Sequence, residues 1–155
     1  MASLAGLSLP KNVSYYTVPV ALFACIFPSL VAVTGSRGVY DNANPRNLTE
    51  SIGRSEALSK EAKQRVIRAK AASSNGFETI GLYAAAVVAA NHAGVDISSL
   101  NRLTVGYTIS RFVYVILYVN LGAVRSLAPV RSAVWMVGIS AIVALFIKGG
   151  NNLSG

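Results

Sequence analysis

Four long apolar stretches constrain this chain more than any other feature of its sequence. They cover residues 15–33, 71–90, 103–124 and 129–147, and each is close to the roughly 20 residues that a helix needs to cross the hydrocarbon core of a membrane. Backbone polar groups find no water there, so a spanning stretch of this kind must be helical. The pattern predicts an all-α protein, a four-transmembrane-helix bundle, with residues 1–155 forming a single domain.

The composition indicates the same class of protein. Of the 155 residues, 53% are hydrophobic and 13% are charged, whereas ordinary soluble domains carry about 25% charged residues. Four spanning helices leave little chain for a soluble module. The first stretch is longer than the roughly 7–15 apolar residues of a cleaved signal peptide, so we expect it to be a retained helix.

The basic residues behind the formal net charge of +8 are placed unevenly along the chain. Most of them lie in the loop 35–70 or in the connection between the third and fourth stretches: Arg37, Arg46, Arg54, Lys60, Lys63, Arg65, Arg68, Lys70, Arg125 and Arg131. Lys11, Arg102 and Lys148 fall on the other side. The positive-inside rule then predicts that both basic connections are cytosolic and both termini are non-cytosolic. This placement argues against a nucleic-acid partner and favours contact with anionic lipid headgroups.

The polar segments carry their own structural signals. Residues 40–46 are dense in turn formers, whereas residues 49–70 have an amphipathic helical pattern that continues from Ser59 into the second apolar stretch. We expect residues 96–101 to form a short loop with capping residues, Pro129 to begin the fourth helix, and residues 149–155 to form a flexible end.

Two ionisable residues lie alone inside apolar stretches. Glu78 is the only formal charge of the second stretch, and Arg111 is the only formal charge of the third. Charges at membrane depth are costly and are seldom kept without a partner or a function. Steps of three and four residues place other polar groups beside them, and these are Arg68 and Asn75 on the second helix and Tyr107, Tyr114, Tyr118 and Arg125 on the third.

These two polar stripes admit two interpretations. Glu78 and Arg111 could neutralise each other and fix the register of the bundle without any chemistry. Alternatively, the stripes line a polar cleft. One ion pair needs two residues, and the stripes offer many more, which favours a cleft for a small, polar, anionic ligand near the cytosolic face. No metal site is predicted, because the single histidine and the single cysteine belong to no cluster with ligand spacing.

Three motifs on these helices resemble a known family, the membrane-associated proteins in eicosanoid and glutathione metabolism (MAPEG). Arg68-Ala69 followed by Asn75-Gly76-Phe77-Glu78 resembles its second-helix signature, and Arg111-Phe112-Val113-Tyr114 with Tyr118 resembles its third-helix signature. Residues 128–132, Ala-Pro-Val-Arg-Ser, resemble the entry to its fourth helix. Residues 40–46 are similar to the fungal and bacterial branch of the family.

The resemblance implies a homotrimer in the endoplasmic reticulum or another intracellular membrane, with glutathione as co-substrate in a cleft between subunits. It implies that glutathione is bound by Arg68, Asn75, Glu78, Arg111, Tyr114 and Tyr118. Arg125 or Arg131 would stabilise the thiolate, with Ser132 or Tyr118 as a hydrogen-bond donor. The reaction expected is attack of the thiolate on a lipophilic electrophile or hydroperoxide that arrives from the bilayer.

Some positions depart from the family pattern and keep other functions open. Ala71 and Ser74 stand where well-studied members carry basic residues, and Tyr114 stands where one synthase has histidine. A trimer that binds lipid or glutathione without catalysis is therefore the alternative to a glutathione transferase or peroxidase. A transporter or proton-relay subunit is a third possibility, because intramembrane acids and bases are typical of such proteins.

Overall fold

The computed structural model describes residues 11–154, apart from the side chain of Arg125, and this part of the chain is helical without strands. Its five α-helices are α1 (Ser14–Gly35), α2 (Leu48–Arg54), α3 (Lys60–His92), α4 (Ile97–Leu121) and α5 (Ala128–Ser154). Short 3₁₀ turns at Pro45–Asn47 and Arg125–Leu127 precede α2 and α5. The all-α prediction is confirmed for the described residues.

The loop between α1 and α3 differs from its predicted form in one respect. The pattern predicted one helical stretch over residues 49–70, but α2 ends at Arg54 and α3 begins at Lys60. Ser59 explains the restart, because its side-chain oxygen accepts a hydrogen bond from the Ala62 N–H at 3.2 Å and caps the new helix. From there α3 runs unbroken to His92, so the predicted continuation into the second apolar stretch is correct.

The last two helices extend beyond their apolar stretches. Asp96 caps α4, so this helix begins at Ile97, within the predicted loop. Pro129 lies in the first turn of α5. The prediction of a flexible end from Gly149 was wrong for residues 149–154, which continue the helix. Packing explains this, because Gly149 is buried against α3 and the Asn152 amide donates to the Ala93 carbonyl oxygen at 3.3 Å.

Three of the helices are long and apolar enough to cross a membrane, and they are α1, α4 and α5. Only 22% of the most apolar window of α5 is buried within the chain, so most of its apolar surface is left for lipid or for other subunits. The chain is therefore an integral membrane protein. The predicted four-span arrangement is supported for these three helices. Helix α3 is less apolar, because serines, Asn75 and Glu78 interrupt the part of it that contains the second apolar stretch.

Helix α3 forms the centre of the bundle and packs against α1, α4 and α5. Toward its C-terminal half, Tyr83 stacks on Tyr107 of α4 with ring centroids 3.7 Å apart. At that end of the bundle, Asn12 donates to Asn91 at 2.6 Å. The loops with most of the basic residues connect the opposite helix ends, where Arg65 contacts Asn120.

Candidate functional site

A cleft of about 470 Å³ opens between α3, α4 and α5, toward the basic end of the bundle. Six of its lining residues had been predicted as site residues, and they are Asn75, Glu78, Tyr114, Tyr118, Arg131 and Ser132. Each helix contributes two of them. Helical spacing placed Asn75 with Glu78 and Tyr114 with Tyr118, whereas the family resemblance supplied Arg131 and Ser132. The packing of α5 against α3 and α4 brings these residues together.

The polar wall of the cleft is held by contacts between neighbouring helices. The Asn75 amide donates to the Tyr114 hydroxyl oxygen at 2.6 Å. The Tyr114 and Tyr118 rings lie 5.4 Å apart, and the Arg131 guanidinium lies over the Tyr118 ring at 4.5 Å from its centroid. A cation over an aromatic face is attracted by the ring quadrupole, so Tyr118 holds Arg131 at the cleft.

Glu78 is exposed on the cleft wall and forms no ion pair with Arg111. Within residues 11–154, leaving aside the side chain of Arg125, the ion pair present is Arg54–Glu50 in the loop, at 2.6 Å. The interpretation in which Glu78 and Arg111 neutralise each other is therefore wrong for this chain. The carboxylate of Glu78 is left available to a ligand.

Arg111 lies behind the cleft and not in its wall. Its side chain is 3% exposed. The guanidinium donates to the carbonyl oxygens of Val134 and Trp135 at 3.3 and 3.1 Å. It also lies 5.2 and 5.5 Å from the ring centroids of Tyr107 and Tyr114. These contacts tie α4 to the turn of α5 that carries the cleft residues, so the side chain positions the wall of the cleft.

Gly138 makes room for this guanidinium. A Cβ built at Gly138 would lie 2.7 Å from the Arg111 guanidinium carbon, closer than real carbon contacts allow. Gly138 is itself buried. The missing side chain at this position is therefore what lets Arg111 reach the backbone of α5.

One other predicted site residue, Arg68, stands apart from the cleft. Arg68 donates from Nε to the Val119 carbonyl oxygen at 3.4 Å and packs against Gly122 at the end of α4. Arg125 begins the 3₁₀ turn before α5, and its side chain lies outside the described part of the structure. The structure thus brings six of the nine predicted side chains to one cleft.

Trp135 and Met136 also line the cleft, although they were not predicted. They follow Arg131 and Ser132 by one helical turn, so the spacing of α5 could have identified them. Met136 also lines a second groove of about 620 Å³ between α4 and α5, with Leu103, Gly106 and Val137 among its other lining residues. Met136 therefore borders both the polar cleft and the apolar groove.

Together, these helices define an integral membrane protein with a polar cleft inside its helical bundle. The family model of the MAPEG family matches residues 13–151, nearly the whole chain. The protein belongs to this family, as the three motifs indicated. Neither a curated protein nor a solved structure matches the chain.

Proposed function

We propose that this protein is a membrane glutathione transferase or peroxidase that binds glutathione in the cleft of α3, α4 and α5. The observation that carries the proposal is the meeting of Asn75, Glu78, Tyr114, Tyr118, Arg131 and Ser132 in one cleft. Family membership is consistent with it, because glutathione-related chemistry is what the MAPEG family suggests.

The chemistry of the cleft fits a tripeptide thiol. A volume of about 470 Å³ lies within the roughly 300–1,000 Å³ of small-molecule sites. The Glu78 carboxylate can accept hydrogen bonds from an ammonium group, and the Arg131 guanidinium can bind a carboxylate or a thiolate. Trp135 and Met136 supply an apolar wall for a lipophilic acceptor.

Within this proposal, Arg131 lowers the pKa of the glutathione thiol. A free thiol has a pKa near about 8.5, so only a few per cent is ionised at neutral pH. A fixed guanidinium favours the thiolate, and a water-poor site strengthens the attraction. The Tyr118 ring lies against the Arg131 guanidinium, and Ser132 is the residue that follows Arg131 in α5. Arg131 lines the cleft, which supports it for this role.

The homotrimer is part of the same proposal. Glutathione carries two carboxylates, whereas the described lining of the cleft contains one cation, Arg131. Arg111 is occupied by backbone carbonyl oxygens, and Arg68 contacts the end of α4. A basic residue from a neighbouring subunit, such as Arg37 or Lys70, would complete the site. The cytosolic placement of this end and an intracellular membrane such as the endoplasmic reticulum also belong to the proposal.

The test combines glutathione binding and turnover in detergent-solubilised protein. We expect Glu78→Gln to weaken glutathione binding. Arg131→Ala should lower turnover of an aryl halide by about 10²-fold, the usual loss when one stabilising donor is removed. It should also move the thiol ionisation in the pH–rate profile upward toward about 8.5. Lys148→Ala, which removes a cation at the other end of the bundle and outside the lining of the cleft and of the α4–α5 groove, is the control. It should change neither the turnover nor the pH–rate profile. If Arg131→Ala keeps the wild-type pH profile, the thiolate role is excluded.

The same experiment tests the non-catalytic alternative. One observation favours it, namely that the one cation in the described lining of the cleft is Arg131 while Ala71 and Ser74 are uncharged. Wild-type protein that binds glutathione without turnover of an aryl halide or a hydroperoxide would establish a binding protein in place of an enzyme.

A further inference from the structure

The last turn of α4 carries the cleft residue Tyr118 but has no basic residue of its own. Residues 118–121 read Tyr-Val-Asn-Leu. The last carbonyl groups of a helix have no partner within that helix, and the end that carries them has a partial negative charge. A cation near this end is therefore stabilising, and here a neighbouring element has to supply it.

Helix α3 supplies two such cations. Arg68 donates from Nε to the carbonyl oxygen of Val119 at 3.4 Å. One turn earlier, the Arg65 guanidinium donates to the Asn120 side-chain oxygen, also at 3.4 Å. The spacing of three residues puts both arginines on one face of α3. Two cations of one helix therefore contact the final turn of the next helix in the chain.

Gly122 makes room for the Arg68 side chain, much as Gly138 makes room for Arg111. A Cβ built at Gly122 would lie 2.5 Å from the Cδ atom of Arg68, closer than real carbon contacts allow. Arg68 is half-buried, whereas Arg65 is exposed. The stem of Arg68 is therefore packed in place against the end of α4, and Arg68 is the stronger of the two contacts.

The turn that Arg68 contacts is the one that presents Tyr118 to the cleft. Tyr118 directly precedes Val119, and the Arg131 guanidinium lies over the Tyr118 ring at 4.5 Å from its centroid. Helix ends open more readily than helix centres. Loosening of the last turn of α4 would move the Tyr118 ring and release the guanidinium that it holds.

We propose that Arg68 is a positioning residue for the reaction in the cleft. It holds the last turn of α4, and through Tyr118 it fixes the Arg131 guanidinium beside the glutathione thiol. The catalytic part of this role rests on the proposed function. Arg68 lies outside the described lining of the cleft, so it acts on the position of Arg131 and not on the ligand, although the family resemblance implied that it binds glutathione.

Hydrogen exchange measured by mass spectrometry tests the structural step without any need for activity. Arg68→Met keeps an unbranched side chain beside Gly122 but removes the donor and the charge. We expect the amides of residues 118–122 to exchange roughly two- to fivefold faster than in wild type, the factor that corresponds to one cation at a helix C-terminus. Unchanged exchange of residues 97–110 shows that the variant is folded.

Lys60→Met is the matched control, because it removes a cation from an exposed position at the start of the same helix. It should leave the exchange of residues 118–122 at the wild-type rate. Equal exchange of these residues in Arg68→Met and Lys60→Met would show that Arg68 does not hold the turn and would overturn the proposal.

Ionisation of bound glutathione, followed by the ultraviolet absorbance of the thiolate, tests the catalytic step with or without turnover. We expect Arg68→Met to raise the pKa of the bound thiol toward about 8.5, by less than Arg131→Ala does. Arg68→Lys should restore most of the wild-type value, because lysine keeps a donor and a charge. In the Tyr118→Leu background, Arg68→Met should have no further effect, because the ring that transmits its effect is missing.

The two backgrounds form a double-mutant cycle, which separates a coupled effect from an independent one. The same rise in thiol pKa with and without Tyr118 would show that Arg68 acts on the ligand by itself and would contradict the proposal. Failure of wild type to bind glutathione would instead refute the proposed function. The exchange of residues 118–122 would then decide alone whether Arg68 positions Tyr118 and Arg131.

Discussion

At the scale of single residues, Arg111 shows what helical spacing leaves open. Its position in an apolar stretch identified it as unusual, and the resemblance implied that it binds a ligand. The structure surrounds it with two tyrosine rings and two carbonyl oxygens of α5. Sequence spacing gives the face of a helix, but it does not give the depth at which a long side chain ends.

Gly138→Ala tests whether the Arg111 guanidinium needs the space beside it. The added methyl group would displace a side chain that is held by two carbonyl oxygens, so we expect destabilisation of about 1–3 kcal/mol, the usual cost of overpacking. We also expect weaker glutathione binding, because Trp135 would shift. Thermal unfolding in detergent and a binding titration measure the two effects.

Gly106→Ala is the control for this substitution. A Cβ at Gly106 meets no atom within 4 Å, so the variant should be neutral or gain up to about 1 kcal/mol from helix propensity. If Gly138→Ala behaves like Gly106→Ala, the guanidinium does not depend on this space.

At the scale of elements, the sequence predicts the helices well and their ends less well. Apolar stretches locate the buried length of each helix, whereas capping side chains decide where the helix begins. Ser59 and Asp96 start α3 and α4 outside the apolar stretches. The extension of α5 to Ser154 depends on contacts with α3, which no local pattern contains.

Asp96→Ala should destabilise the start of α4. The Asp96 carboxylate accepts from the Ser99 N–H at 2.8 Å, and this bond lowers the pKa of the carboxyl group. We expect a loss of about 1 kcal/mol for alanine and a smaller loss for asparagine, which also caps helices. Because the folded-state pKa is depressed, the stabilisation is complete above the unfolded pKa near about 3.9 and is lost as the pH falls through the folded value.

Thermal unfolding of wild type, Asp96→Ala and Asp96→Asn, followed as the pH is lowered from neutral, measures this loss of stability. Equal stability of Asp96→Ala and wild type at neutral pH would show that the cap does not stabilise α4.

The groove between α4 and α5 gives a prediction about acceptor size. Gly106 lines this groove and has open space around it, so Gly106→Phe should fill the groove without disturbing the backbone. We expect a higher KM for a long-chain electrophile and an unchanged KM for a small aryl halide. Steady-state kinetics with both acceptors provides the measurement.

Gly81→Phe is the matched control, because Gly81 also has open space but lies outside the lining of the groove. A rise in KM with both variants, or with neither, would mean that the groove does not hold the acceptor.

At the scale of the whole molecule, the antiparallel helices collect the basic connections at one end. Arg131 of the cleft lies toward this end, and Lys148 lies toward the other. The charge asymmetry of the sequence therefore has a direct counterpart in the fold. Packing between subunits has no such signal in one sequence, because lipid-facing and subunit-facing residues are both apolar.

Native mass spectrometry in detergent should give an assembly of three copies of the 16.2 kDa chain. The physical reason is the single cation in the described lining of the cleft, which leaves one glutathione carboxylate without a partner from the same chain. A chain that binds glutathione as a monomer, with undiminished affinity on dilution, would contradict this prediction.

The space that Gly138 leaves for Arg111 has a consequence for how this protein can diverge. A guanidinium and a methyl group cannot occupy the same volume, so a larger residue at position 138 is tolerated only once the arginine is gone. Loss of the arginine alone would in turn leave a void beside Gly138 and remove the contacts that tie α4 to α5. Positions 111 and 138 should therefore change together among descendants of this sequence, although 27 positions separate them along the chain.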